Sequence, residues 1–377
     1  MAELGDTPSG NRTHVAFFGL RNAGKSTLVN AFTGQNLAIV SDIAGTTTDP
    51  VSKAMEILPL GPCLVTDTAG LDDEGPLGAQ RVEKSLAVLA KTDIAVWVAG
   101  EGESPAEPHF MRLSEDCRHR GVALIVHRRG DSVEELKRKI ASAAPGEVAP
   151  GLLDGLVSPG ERVVCVCPID ESAPKGRLIL PQVQVLRDCL DRGAVAAVCQ
   201  PSRLAEAVSL AGDDALVVTD SQAFAEVRGI LSGSRARLTS FSILFARQKG
   251  NLAEYLKGLE SVKGLRDGDL VVVAEGCTHH RQCNDIGTVK IPRALSAMTG
   301  RTLRFSFSSG NGFDVAPGGE RAALAVQCGG CMLTRREVLR RIEICRSSGV
   351  PVVNYGILLA AACGMTGIRA DGLVEHR

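Results

Sequence analysis

At 377 residues the chain has room for two or three domains and can bury sizeable cores without disulfides or metals to hold them. Its formal net charge is −1, from 42 basic and 43 acidic residues interspersed along the chain, which removes any bulk electrostatic case for nucleic acid. Twelve cysteines would read as a disulfide framework in a short secreted chain. Here residues 1–12 are polar and lack a signal-peptide apolar core, and the most apolar run, residues 352–368, is broken by Asn354, Tyr355 and three glycines. The expectation is a cytoplasmic protein with no membrane partner and with reduced cysteines available for metal.

The first strand, residues 14–18, leads into Gly19-Leu20-Arg21-Asn22-Ala23-Gly24-Lys25-Ser26, and a helix is predicted over residues 25–32. This is the G-x-x-x-x-G-K-S phosphate loop in its strand–loop–helix setting. Backbone N–H groups of Gly19, Asn22, Ala23, Gly24 and Thr27 line the cradle. Lys25 would reach the β- and γ-phosphate oxygens, and Ser26 would ligate Mg²⁺. Gly45-Thr46-Thr47-Thr48-Asp49 follows, with Thr47 placed to meet Mg²⁺ and the γ-phosphate from a switch loop. After another strand comes Asp67-Thr68-Ala69-Gly70, where Asp67 would hold the Mg²⁺ shell and Gly70 would offer a backbone N–H to the γ-phosphate.

The order and spacing of these three motifs resemble the translation-factor-like GTPases related to Era and MnmE. That resemblance implies an α/β P-loop domain using GTP and Mg²⁺, with Lys25, Thr47 and Gly70 as its catalytic groups. It implies a K⁺ ion at Asn22 in place of an arginine finger. Leu71 stands where Ras-like proteins carry a water-positioning glutamine, so intrinsic hydrolysis should be slow. The base-recognition motif departs from the pattern. Where Asn-Lys-x-Asp is expected the chain reads His127-Arg128-Arg129-Gly130-Asp131, and Cys167-Pro168-Ile169-Asp170 stands near the place of the Ser-Ala-Lys loop. Guanine selectivity is therefore expected to be weak.

Residues 172–177 read as a boundary that closes a first domain at 1–174. Beyond it a helical pattern and two strand–helix units, with strands at 194–199 and 215–219, form a second α/β domain, 175–262. The apolar stretch 238–247 is its buried part. It carries no catalytic constellation, and subunit association is its expected role. A third domain, 263–377, also alternates strands and helices, so both smaller units should hold mainly parallel sheets with ligands at the strand C-terminal ends.

The third domain carries the metal chemistry. An apolar strand, 322–326, delivers Cys328 at its tip; Gly329 and Gly330 bring Cys331 round; and Thr334 with Glu337 has capping-box spacing for a helix. Two soft thiolates facing a helix N-terminus suit an anionic metal–sulfur centre. Cys277-Thr278-His279, after the strand 270–274, is the best further donor set. A tetrahedral zinc site built from Cys277, His279, Cys328 and Cys331 remains open on the same residues. Cys63, Cys117, Cys165, Cys189, Cys199, Cys345 and Cys363 read as small core residues.

Cys-x-His, a long gap and Cys-x-x-Cys resemble the C-terminal motif of the HydF family, the GTPase and scaffold of iron–iron hydrogenase maturation. The likeness extends over residues 174–184, 219–224, 239–247, 274–280, 335–337 and 354–356. The family implies a GTPase domain, a dimerisation domain and a domain carrying a 4Fe–4S cluster. It implies transfer of a di-iron precursor, built by two radical-SAM maturases, to apo-hydrogenase, and a homodimer or higher assembly. Carried over by position, Cys277, Cys328 and Cys331 are the cluster thiolates. His279 and Gln327 occupy the two positions at which the family varies its fourth ligand. The rival reading is an Era- or MnmE-like GTPase directed to tRNA or the ribosome, with a structural zinc. The lack of basic stripes and aromatic platforms speaks against its RNA half.

Overall fold

The apolar run after residue 13 becomes β1 (Thr13–Phe18), with Val15, Ala16, Phe17 and Phe18 all buried. The computed structural model describes residues 7, 9–34, 50–58, 60–73, 75–100, 102, 106–143, 150–169, 176, 178–276, 285–310, 312–365 and 367–376. Contacts divide the chain into two units, residues 1–148 and 149–377.

In the first unit β1 is followed by α1 (Lys25–Thr33), β2 (Val51–Ile57), β3 (Gly61–Asp67), α2 (Gly75–Leu89), β4 (Ile94–Ala99), α3 (Pro108–Arg120), β5 (Ala123–Arg128) and α4 (Val133–Ala143). The sheet order is β2-β3-β1-β4-β5, with only β2 antiparallel. Every residue of β4 is buried, as a parallel strand covered on both faces requires. Leu28, Val29 and Phe32 of α1 pack with Leu136 and Ile140 of α4 on one face. Leu89 of α2 packs with Leu113 and Cys117 of α3 on the other. The phosphate-binding loop therefore lies at the C-terminal end of a central strand, the position doubly wound sheets use for ligands.

The second unit holds two parallel four-stranded sheets. The first is built from β6 (Arg162–Val166), α5 (Leu180–Asp191), β7 (Val195–Cys199), α6 (Leu204–Ala211), β8 (Leu216–Thr219), α7 (Phe224–Ile230) and β9 (Arg237–Ser240), in strand order β7-β6-β8-β9. After α8 (Phe241–Lys249) and α9 (Leu252–Ser261) the second follows, with β10 (Leu270–Glu275), α10 (Ile291–Thr299), β11 (Arg304–Ser309), β12 (Leu324–Gln327), α11 (Arg335–Ser347), β13 (Val352–Asn354) and α12 (Tyr355–Ala362). Its strand order is β11-β10-β12-β13.

The boundary at 174/175 is not where contacts divide, because β6 pairs with β7 and β8 at the centre of the next sheet. Cys167, Pro168 and Ile169 go with it and belong to the second unit. Contacts do not divide residues 149–377 further. One apolar core runs from Val164 and Val217 in the first sheet to Val272 and Val326 in the second. The apolar stretch 238–247 is mostly buried and forms the end of β9 and most of α8 with no intervening loop. Ser240 caps α8 by accepting the Ile243 N–H at 3.2 Å, a contact worth about 1 kcal/mol.

The two edges of the first sheet differ. Near its C-terminus the chain folds back along β9, where Val374 N–H donates to the Leu238 carbonyl at 2.8 Å and the Thr239 hydroxyl to that of Gly372 at 2.7 Å. β7 has no such cover among the described residues: Val195 is 61% and Val198 48% exposed. Among the described residues, no helix is long and apolar enough to cross a membrane.

Candidate functional site

The phosphate loop owes its shape to two left-handed residues. Asn22 has φ 58°, which asparagine tolerates better than most side chains, and Gly24 has φ 88° where the loop turns into α1. Lys25 is buried at the helix start, and its ammonium donates to the carbonyls of Gly19 at 3.2 Å and Leu20 at 2.6 Å. Ala23 is half-buried against the core, while Thr27 is exposed on the first turn of α1.

Ser26 and Asp67 come together from α1 and β3. The Ser26 hydroxyl donates to Asp67 Oδ2 at 2.6 Å. Asp67 Oδ1 is buried with no hydrogen-bond partner among the described residues. Burial pushes the Asp67 carboxyl above its ordinary range, against the pull of the Ser26 bond and of Lys25. A hydroxyl beside a buried, half-satisfied carboxylate fits the needs of a hydrated Mg²⁺ ion, which would supply the charge that this carboxylate lacks. Gly70 sits next to the loop: a Cβ placed there would lie 2.9 Å from the Arg21 nitrogen. Leu71 N–H donates to the Gly19 carbonyl at 3.2 Å, and the Leu71 side chain is buried. Thr47 and its neighbours lie outside the described residues.

At the base-recognition position, Asp131 accepts the backbone N–H of Arg128 at 2.9 Å. That bond, foremost, holds its carboxyl below the usual range. The acid thus closes its own turn. His127 is buried, and burial lowers its basicity.

The second site is the loop between β12 and α11. Thr334 accepts the Glu337 N–H at 3.2 Å, starting α11 as the spacing predicts. The Glu337 carboxylate does not reach back to complete the box. It pairs instead with Arg340 at 2.7 Å and with Arg341 at 2.9 Å. Cys328 and Cys331 both lie on this loop, and burial raises both thiols, Cys331 to about 11.

Cys328 Sγ accepts the Gly276 N–H at 3.1 Å, so the end of β10 touches the Cys-x-x-Cys loop one residue before Cys277. Cys277, His279, His280 and Cys283 lie outside the described residues, and among the described residues no three metal-ligating side chains cluster. Gln327 is fully buried with both amide atoms unpartnered among the described residues.

One member of this site was not foreseen. Lys249, at the end of α8, is 4% exposed and donates to the carbonyls of Gly330 at 3.3 Å, Cys331 at 3.2 Å and Leu333 at 2.7 Å. Burial pulls its ammonium down to about 8, against the opposing pull of the Cys331 and Cys328 sulfurs. Two half-buried thiols beside a buried cation, with a third cysteine next in sequence to the contacting backbone, form a donor set that fits an anionic metal–sulfur centre.

Residues 14–128 match the family model for the 50S ribosome-binding GTPase, residues 152–250 that for the hydrogen maturase F dimerization domain, and residues 253–369 that for its tetramerization domain. The tRNA modification GTPase MnmE of Erythrobacter litoralis is 34% identical over 148 residues, 36% of this chain and 35% of that protein. GTPase Der of Myxococcus xanthus is 36% identical over 124 residues, 32% of this chain and 26% of that protein. The chain thus spans about a third or less of these relatives. A structure of Aquifex aeolicus Era bound to GDP and AlF4− aligns over 53% of this chain and 98% of that one, at 19% identity and TM-score 0.30. The nucleotide unit is a GTPase domain. With that domain first and two models of one family behind it, together taking in more than half of the residues, the chain belongs to the hydrogen maturase F family.

Proposed function

We propose that this hydrogenase-maturation GTPase works as a scaffold. It holds a 4Fe–4S cluster on Cys277, Cys328 and Cys331, receives a di-iron precursor as cargo from two radical-SAM maturases, and passes it to apo-hydrogenase. The observation that carries the reading is the 3.1 Å bond from Gly276 N–H to Cys328 Sγ, which joins the two cysteine-bearing strand ends. Bound there, a cluster supplies an iron with a replaceable fourth ligand, which suits a carrier that must release cargo. His279 is that fourth ligand in this reading. Gln327 is a poor substitute, its amide oxygen being hard and neutral. Anaerobic loading with iron and sulfide tests the proposal: about four irons and four sulfides per chain, with a paramagnetic signal on reduction, are expected. One zinc and no iron would sink it.

In the GTPase domain, Ser26, Asp67 and Thr47 would hold Mg²⁺, Lys25 would bind the β- and γ-phosphates, and Asn22 would hold K⁺. Slow hydrolysis that quickens when Na⁺ is exchanged for K⁺ is the expected behaviour. Asp131 is occupied by its own turn, so guanine lacks the two-pronged acceptor that gives strong discrimination. Competition binding should therefore show GTP favoured over ATP and ITP by well under about a thousandfold. A larger preference would mean that another acid reads the base.

Self-association follows from the family's dimerization and tetramerization domains, and the β7 edge is the surface we assign to the dimer. It is an uncharged edge strand with exposed Val195 and Val198, flanked by Leu190 at 74% and Leu210 at 79% exposure. The opposite edge is covered by the chain's own C-terminal segment. An uncovered apolar edge is a template for a second strand, and a charge on it is the usual block. Val198→Lys should halve the parental oligomer's mass by light scattering. An unchanged mass would move the interface elsewhere.

A further inference from the structure

Lys249 lies in the dimerization domain, yet its ammonium ends under the cysteine loop of the tetramerization domain. Its three acceptors are consecutive or nearly so: the carbonyls of Gly330, Cys331 and Leu333, at 3.3, 3.2 and 2.7 Å. In a trans peptide the next N–H points opposite to the carbonyl. The N–H groups of Cys331, Met332 and Thr334 are therefore turned away from the lysine. The Phe245 ring lies 5.3 Å from the ammonium, and Ser242 of the same helix would be 3.1 Å from a Cβ on Gly329. Both ends of α8 thus brace the loop.

No carboxylate among the described residues pairs with this ammonium, although it is 96% buried. Hydrogen bonds to neutral carbonyls satisfy its protons and leave its charge unmatched, and a buried unmatched charge is costly. A costly cation with the two thiols of Cys328 and Cys331 as nearby anion sources is arranged for a ligand that brings negative charge.

We propose that Lys249 is a positioning residue for the Cys328–Cys331 site. It fixes the loop through three carbonyls and supplies the counter-charge for an anionic metal–thiolate centre. The inference rests on the cysteine loop binding metal, as in the function proposed above. It does not need that metal to be an iron–sulfur cluster.

The experiment compares the full-length parent chain with Lys249→Met and Lys249→Arg, all reduced and anaerobic. Co²⁺ alone is titrated and followed by its thiolate absorption. The proteins are then loaded with iron and sulfide, and the reduction potential of the loaded fraction is measured. Lys249→Met should bind Co²⁺ about 10–100-fold more weakly, as loss of an outer-shell partner does. Its loaded fraction should have a lower reduction potential, because a positive charge that favours the added electron is gone. Lys249→Arg should lose occupancy from poorer fit while its potential stays near that of the parent.

A folded Lys249→Met with parental Co²⁺ affinity and potential overturns the inference. So does reduced loading at an unchanged potential, which would leave only a packing role. If Lys249→Met does not fold, Lys249→Arg decides, and a potential lowered in that variant overturns the counter-charge. A parent chain that binds Co²⁺ but takes up no iron–sulfur cluster defeats the proposed function and leaves Lys249 to be judged on Co²⁺. A parent chain that binds neither metal form overturns both.

Discussion

Lys25→Ala removes triphosphate turnover, by about a thousandfold or more, while leaving the iron content of the chain unchanged. Loss of a single group aimed at developing charge costs about two to three orders of magnitude in other enzymes, and here the charge sits on several phosphate oxygens. Among the described residues of the loop nothing replaces the ammonium. Arg21, the nearest basic side chain in the loop, pairs instead with Asp72 at 3.7 Å and Asp73 at 3.6 Å. Phosphate release and bound iron, measured on the same preparation, check the prediction. Iron should persist because Cys328 and Cys331 belong to the second unit. Turnover within tenfold of the parent would show that the loop positions phosphate by its backbone alone.

The second large effect concerns the cysteines. Alanine at Cys277, Cys328 or Cys331 should each remove most of the iron taken up on anaerobic loading, since no neutral neighbour substitutes for a soft anion. His279→Ala should behave differently, keeping the iron while changing the paramagnetic signal and opening the site to added imidazole or cyanide. Cys283→Ala should leave iron content at the parental level. If Cys283 proves as necessary as the other three, the site is a closed four-thiolate cage and loses the open iron that a carrier needs.

Much of this was readable in the chain because the spacing rules are local. The phosphate loop needs a strand, a turn with left-handed residues and a helix start, and all three lie between Thr13 and Thr33. Thr334 fixes the start of α11 for the same reason. What local spacing leaves open depends on partners far away in sequence. The run Arg162 to Val166 is an apolar strand on any reading, but its composition does not say which sheet it joins. Only its pairing with β7 and β8 does. Glu337 was expected to turn back toward its own helix start, but Arg340 and Arg341 one turn on are stronger partners. Lys249 was invisible. A lysine at a helix C-terminus beside Gly250 ordinarily complements the helix dipole in solvent. What buries it is a loop about eighty residues further along the chain.

The continuous core of residues 149–377 has a practical corollary for anyone cutting the gene into pieces. Cys331 packs against the core of the first sheet beside Phe241, Leu244 and Phe245. Gly258 of α9 lies so close to β13 that an added Cβ would collide with the Val352 oxygen. Val374, at the far end, is bridged to Leu238. A break between the two matched family domains, near residue 251, would strip both halves of partners that neither could replace. The fragment ending there would lose the strap over β9, and the fragment beginning there would lose the helix beneath its cysteines. Split-gene complementation and isolated-domain expression should therefore succeed with a cut near residue 148 and fail with one near 251, although both cuts fall between recognised domains.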